Sequence, residues 1–503
     1  MSEGKEKNPL ETVFSGALML VFGFVLGGVF SLGNKVILAR FLDPSLYGVF
    51  SQSTALLYAL VMVSMAGLNA GSSRFISHNL EKKERAATAT ATSLLVVIPL
   101  SVLVFGLLYL LSDPVSSMLF HDARSASVLR MFSIAGPSMA INSIIISGFR
   151  GFQSSKERVA LLDFIIPILQ VLGIGTAILL GYGIQGAATG YALSFVLAMF
   201  VAVYWYRKSY VFTPNLDILR ELVEFSWPIM ISSVAVQIFL WSPPLLVGML
   251  SDSTNVGYLN AALPLAASTK MFLTSVSFLF MPVIAELHSK DSLDELHHTY
   301  SSATRWIIYL STPILGFFIF AAGDSTGFVF GPDYFTAGTG LLILSLGFMV
   351  NMATGPIGEL LIAVGLTKRE MLANIVKLGI TIILSWLLVP EYGFVAGAAS
   401  YAAGMSIGNI LRVIFGREYV SFDNWKAFTK PFIALVSGGI VIYLSSGLFL
   451  PFRVIGYGLI YLAVFTGLKP LEQSDVELIE HLLERQELPY GNKLMSLARL
   501  LAA

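Results

Sequence analysis

Long apolar runs separated by short polar turns recur along the whole chain. With about 20 apolar residues needed to cross a bilayer, they predict helices at 13–38, 47–68, 87–111, 129–149, 160–180 and 184–206. A second set follows at 222–249, 257–284, 305–322, 336–363, 371–389 and 393–414, and two more at 428–449 and 452–468. The turns are too short to hold a globular domain; the longest are Ser112–Val128 and Leu287–Thr304.

The two sets of six echo each other. Asp43 and Gly48, in R-F-L-D-P-S-L-Y-G-V-F, are answered by Asp252 and Gly257 in M-L-S-D-S-T-N-V-G-Y-L. Phe14-Ser15 returns as Phe225-Ser226, and Arg158, Leu161 and Asp163 as Arg369, Leu372 and Asn374. I-Q-G-A-A-T at 184–189 returns as V-A-G-A-A-S at 395–400, so the offset stays near 210 residues throughout. A near-constant offset argues for two equivalent halves, and an even number of spans per half orients both the same way. The expected fold is therefore an all-α polytopic membrane protein with 14 transmembrane helices. A cytoplasmic N-terminus (1–12) leads to an N-lobe (13–206) and a C-lobe (222–414), two six-helix lobes related by pseudo-two-fold symmetry around a cleft. Two extra C-terminal helices (428–468) and a cytoplasmic amphipathic tail (470–503) complete the chain, the tail opened by a capping box of Ser474 and Glu477.

Composition supports the membrane reading: 55% of the 503 residues are hydrophobic and 12% charged, against roughly 25% charged in a soluble domain. Most of the 31 basic residues fall in the segments that are cytoplasmic if the N-terminus is inside, which puts both termini in the cytoplasm of a cell-membrane protein. Zero net charge gives no reason to expect nucleic acid, and the absence of cysteine excludes thiolate and Cys-type metal chemistry. Gly28–Lys35 approaches a phosphate-loop pattern, but Asn34 stands where the lysine belongs. No catalytic constellation, metal set or cofactor motif emerges. Ten intraspan prolines, Pro264 among them, suit helices that bend.

The candidate chemistry lies in charges and amides inside the spans. Lys270 sits near the middle of the 257–284 run, where a lysine costs at least about 2.5–3.5 kcal/mol and so faces a partner or a wet cavity; a cation for an anionic head group is the functional reading, an ion pair the structural one. Lys377 is either a site residue or a side chain snorkelling to the cytoplasmic surface. Lys35 and Arg40, at the outer end of the first span, are either interfacial anchors or a cationic lip. Gln237 and Asn260, flanking the repeated turn, either bind sugar hydroxyls or join helices.

With these features in place, the chain resembles the Wzx-like polysaccharide or oligosaccharide flippases of the multidrug/oligosaccharidyl-lipid/polysaccharide (MOP) exporter superfamily. The resemblance covers about residues 10–465 and rests on L-A-R-F-L-D-P-S-L-Y-G-V-F at 38–50, S-G-F-R-G-F-Q at 147–153, F-L-F-M-P-V-I-A-E-L at 278–287, V-F-G-P-D-Y at 329–334 and L-V-P-E-Y-G-F-V-A-G-A-A at 388–399. It implies a monomeric non-enzyme that moves a polyprenyl-phosphate- or pyrophosphate-linked oligosaccharide to the outer leaflet by alternating access, for polysaccharide or glycoprotein glycan assembly. Proton or sodium coupling stays open. The multidrug exporters of the superfamily typically have twelve spans and a carboxylate in the first, which is missing between Val13 and Leu38. A membrane glycosyltransferase or polymerase would show acidic pairs in a sizeable outer loop, whereas Asp113, Asp122, Asp324 and Asp333 are scattered over short ones.

Overall fold

The computed structural model describes residues 26–419 and 426–470 and is helical throughout them. The start of the expected first span, with Gly23, and the capping box of the tail lie outside the described residues. Helix α1 (26–41) is followed by α2 (Pro44–Met65), α3 (Leu68–His78), α4 (Lys83–Leu110), α5 (Ser112–Leu119) and α6 (Ser125–Gly151). Next come α7 (Ser155–Val159), a π-helical turn (Ala160–Ile165), α8 (Ile166–Leu179), α9 (Gly183–Ser209), α10 (Leu219–Leu250) and α11 (Ser253–Ala267). The rest of the chain forms α12 (Lys270–Ser289), α13 (Leu293–Phe320), α14 (Ala322–Phe330), α15 (Gly338–Ala353), α16 (Ile357–Ala363), α17 (Thr367–Phe415), α18 (Lys426–Leu444) and α19 (Leu450–Gly467).

Among the described residues nine helices are long and apolar enough to cross a membrane, or ten if Lys270–Ser277 and Phe280–Ser289 are one bent span. Large apolar side chains such as Leu110, Leu179, Phe200 and Trp386 stand exposed on them. In water such a surface would aggregate; against lipid tails it is the favourable one.

The chain forms two compact units. The first holds residues up to Pro264 together with Val329–Tyr334 and Thr381–Gly397. Here α6 packs on α2, α3, α4 and α9, α8 lies along α9, and α10 rests on α2 and α3. The second unit holds Leu265–Phe328, Phe335–Ile380 and everything from Ala398 on. Within it α13 is central, touching α12, α15, α18 and α19. Leu435, Ile442, Tyr457 and Tyr461 bury the contact that ties α18 and α19 to the unit.

Several apolar runs that read as single spans are broken. The 257–284 run divides at Ser268 and Thr269, where the backbone tightens to three-residue bonds, Ser268 N–H donating to the Leu265 carbonyl at 3.2 Å and Phe272 N–H to the Thr269 carbonyl at 3.2 Å. Lys270 is therefore the first residue of α12. The 371–389 and 393–414 runs, by contrast, are expected as two spans, and α17 is indeed two helices joined at Gly393, whose φ of 54° only glycine adopts readily. A β-carbon there would also fall 2.3 Å from the Asn255 side chain, which accepts the Phe394 N–H at 2.9 Å and starts the second helix.

Candidate functional site

The repeated D-x-x-x-x-G element supplies the most constrained contact in the first unit. Asp43 caps α2, its carboxylate accepting the Leu46 N–H at 2.9 Å, and Asp252 caps α11 in the same way through Asn255 N–H at 2.9 Å. Five residues on, each helix presents its glycine to the other. A β-carbon on Gly48 would lie 1.6 Å from the Ser253 carbonyl oxygen, and one on Gly257 would lie 1.9 Å from that of Pro44. The repeat thus encodes two capped helix starts that cross backbone to backbone.

Polar side chains hold this crossing. Asn260 donates to the Ser51 hydroxyl at 2.6 Å. The Tyr47 hydroxyl reaches the Asn260 carbonyl at 3.4 Å, a group left without its helical donor because Pro264 has no N–H. Beside them Ser253 donates to Asp122 at 2.7 Å and Arg124 grips both Asp122 and Ser45. Burial acts on Asp122 upward, but the hydrogen bonds from Arg124 and Ser253 outweigh it and hold the carboxyl below its ordinary range. Arg40 donates to the Val329 carbonyl at 2.9 Å, and Tyr334, from the V-F-G-P-D-Y motif, donates to the Leu42 carbonyl at 3.2 Å. Arg40 is therefore bonded into the fold at the base of α2.

Next to the crossing lies a cavity of about 240 Å³ lined by Lys35, Asn34, Asn260, Tyr58, Tyr191 and Trp241. Tyr58 and Trp241 stack with centroids 4.2 Å apart and an interplanar angle of 9°. A second cavity of about 460 Å³ shares Ser31, Tyr58 and Gln170 with the first and adds Gln237, Asn142 and Asp163. Lys35, Asn260 and Gln237 are thus brought to adjoining cavities of the first unit.

Lys270 and Lys377 meet in the second unit. Lys270 Nζ stands 5.2 Å from the centroid of the buried Phe348 ring, a cation–π arrangement. Lys377 is buried with its stem against Gly408, within electrostatic reach of Lys270 and Arg412. Arg412 donates to both carboxylate oxygens of Glu370 at 2.8 and 2.6 Å, and to Asn374 and Asn409 at 2.9 and 2.7 Å. Glu359 lies in the field of this pair. The Arg412–Glu370 ion pair thus lies within electrostatic reach of Lys377 and Glu359, and Lys377 within reach of Lys270.

Arg412 is not among the candidate residues read from the sequence, and Asp163 enters there only as a position of the repeat, answered by Asn374. A helix ending at 414 puts Arg412 at the cytoplasmic surface, whereas the hairpin of α17 folds it against Glu370. A span starting at 160 makes Asp163 interfacial; the span starts at Ser155, more than a turn earlier.

This helix order is the fold of the MOP-superfamily transporters. It superposes on a lipid II flippase, MurJ, in an inward closed conformation, with a TM-score of 0.75 and 16% identity over 89% of this chain and 97% of that one. A multidrug resistance MATE family transporter gives 0.62 and 15% over 78% and 94%. The chain belongs to the polysaccharide biosynthesis protein family, whose model matches residues 13–288. It is 21% identical over 388 residues to the probable low-salt glycan biosynthesis flippase Agl15 of Haloferax volcanii, covering 76% of this chain and 79% of that protein. Against stage V sporulation protein B of Bacillus subtilis it is 21% identical over 436 residues, 80% and 83% of the two chains.

Proposed function

We propose that this protein is a flippase that carries a polyprenyl-phosphate- or pyrophosphate-linked oligosaccharide from the cytoplasmic to the outer leaflet by alternating access. The carrying observation is the cationic cluster of Lys270, Lys377 and Arg412 built on membrane helices. Charges at that depth are costly and are retained where a ligand or partner uses them. A lipid-linked glycan brings the matching part, an anionic phosphate joined to an apolar tail. Arg412 is committed to Glu370 and acts as a positioning residue, while the Lys270 ammonium on Phe348 carries the charge offered to phosphate. The relatives named as flippases support the same reading.

In this account fourteen spans form two pseudo-symmetric six-helix lobes plus two further helices, with both termini cytoplasmic and the monomer as the working unit. The crossing of Gly48 and Gly257 is the outer gate, and opening it exposes the cavities beside Lys35 and Asn260, whose amides and stacked aromatic rings suit sugar hydroxyls and faces. Moving one negative charge outward is favoured by an inside-negative potential by about 2.3 kcal/mol per 100 mV.

Lys270→Ala and Lys270→Arg in proteoliposomes test the site. Losing one charge-assisted hydrogen bond, worth about 1.5–3 kcal/mol, slows leaflet transfer of a lipid-linked glycan about tenfold to a hundredfold in the alanine variant. The arginine variant, which keeps charge and ring contact, retains most of the rate. Full transfer by Lys270→Ala at normal protein level would show the assignment wrong.

A further inference from the structure

The hairpin of α7, α8 and α9 in the first unit carries a hollow that the glycan reading does not use. It measures about 340 Å³ and is walled by Lys156 and Glu157 of α7, by Ala160 at the start of the π-helical turn, and by Trp205, Lys208 and Ser209 of α9. These residues stand where two spans meet the membrane surface, one beginning at Ser155 and the other ending at Ser209. Ala160, with only a methyl group, leaves the space between the lysines open. Among the described residues the side chains of Lys156, Glu157 and Lys208 make no hydrogen bond and no ion pair, although they share one hollow. All three charges are therefore available to a ligand.

A second observation is independent of the first. On α9 the positions 193, 197, 201, 204 and 208 recur every three or four residues and so share one helix face. Lys208 heads this stripe, and the large apolar side chains of Tyr204, Leu197 and Leu193 continue it, all three exposed. Leu197 and Leu193 are also the rim of an open groove of about 670 Å³ between α8 and α9. Leu197 lies eleven residues from Lys208, about 16 Å along the helix, which is close to half of the roughly 30 Å hydrocarbon thickness. A charged hollow and an apolar track one leaflet deep thus lie end to end on the lipid-facing side of the hairpin.

We infer that this face binds one anionic phospholipid of the phosphatidylglycerol type, its phosphate between Lys156 and Lys208 and one acyl chain along the stripe from Tyr204 to Leu197. Basic pockets between membrane helices take anionic head groups. Two lysines against Glu157 leave the hollow one positive charge in excess, which matches a single phosphodiester. Glu157 accepts from the glycerol hydroxyls of such a head group, and Ser209 bonds to them as donor or acceptor. Trp205 stands at head-group level, where an indole keeps its N–H among polar groups and its ring against the chains. A choline head group, by contrast, sets a further permanent cation beside the two lysines. Binding at this face does not depend on the flippase reading.

The test therefore uses no glycan. Thermal unfolding of the purified full-length protein in detergent is followed with added dioleoyl-phosphatidylglycerol, dioleoyl-phosphatidylcholine or inorganic phosphate at equal ionic strength. Phosphatidylglycerol raises the unfolding temperature of the wild type, since a ligand bound to the folded state alone stabilises it, and the other two raise it less. In Lys156→Ala/Lys208→Ala the half-saturating phosphatidylglycerol concentration rises about 30-fold, roughly fivefold for each lysine near a membrane surface. Lys82→Ala/Lys368→Ala removes the same charge from exposed positions elsewhere and leaves that concentration unchanged. An equal rise in both double variants overturns the proposal, as does an unchanged value in the first or an equal effect of the choline lipid. A response to inorganic phosphate matching that to the lipid overturns the lipid assignment. Should the first double variant fail to fold, Lys208→Gln alone replaces it, with a rise of about fivefold expected and an unchanged value overturning the site.

Discussion

Gly257→Ala gives the sharpest perturbation of the helix crossing. The added β-carbon would fall 1.9 Å from the Pro44 carbonyl oxygen, deep inside van der Waals contact, and the obstacle is backbone, which cannot rotate aside. The α2 and α11 starts must separate. Overpacking of this kind costs about 1–3 kcal/mol, charged only to the state in which the helices cross, so the balance between crossed and separated states moves about 5- to 150-fold. Because the chain has no cysteine, a single Ser51→Cys reports the change: Ser51 is buried at the crossing, 2.6 Å from Asn260. Labelling by a membrane-impermeant thiol reagent rises by that factor when Gly257→Ala is added. Gly28→Ala is the control, since a β-carbon there meets nothing within 4 Å. Unchanged labelling in a folded Gly257→Ala protein, or an equal rise with Gly28→Ala, would refute the argument.

Three further outcomes follow from the same geometry. Glu370→Ala leaves Arg412 as a buried charge without its carboxylate, both side chains being 13% exposed, and lowers unfolding stability by about 3–5 kcal/mol; adding Arg412→Met recovers part of the loss in thermal melts. Gly393→Ala, forced to φ near 54° against Asn255, costs about 1–3 kcal/mol, read as an earlier melt or a lower yield of folded protein. Asp122, held below its ordinary pKa in the folded state, contributes stability that is complete above the unfolded-state value near 3.9 and is lost as pH falls through the lower folded one. Asp122→Asn flattens the acid limb of a stability-against-pH curve, and an unaltered limb would show that the contact contributes nothing.

The amino-acid order made the spans legible because a bilayer demands long apolar runs, and the doubled Asp-Gly element was visible as a repeat at Asp43 and Gly48, Asp252 and Gly257. Its purpose was not. Capping and helix crossing depend on which backbone lies opposite, and linear spacing carries no such information. The break at Ser268–Thr269 was hidden because the flanking residues stay apolar, whereas the one between the 371–389 and 393–414 runs was legible; the structure puts it at Gly393, held by Asn255 more than a hundred residues away. Lys270 and Lys377 stood out as charges within apolar runs. Arg412 did not, because only the folding of α17 back on itself brings it against Glu370, and Asp163 did not, because a span start placed five residues late leaves it at the interface.

Leaflet transfer by the wild-type protein alone is the most direct test of what the chain does. Purified protein is reconstituted into sealed vesicles carrying a fluorescent polyprenyl-diphosphate oligosaccharide in both leaflets, and a membrane-impermeant quencher is added outside. The account predicts that the fluorescence protected in protein-free vesicles becomes quenchable when the protein is present. Protection identical to that of protein-free vesicles, with the protein folded and in the membrane under an imposed potential and sodium gradient, would contradict it.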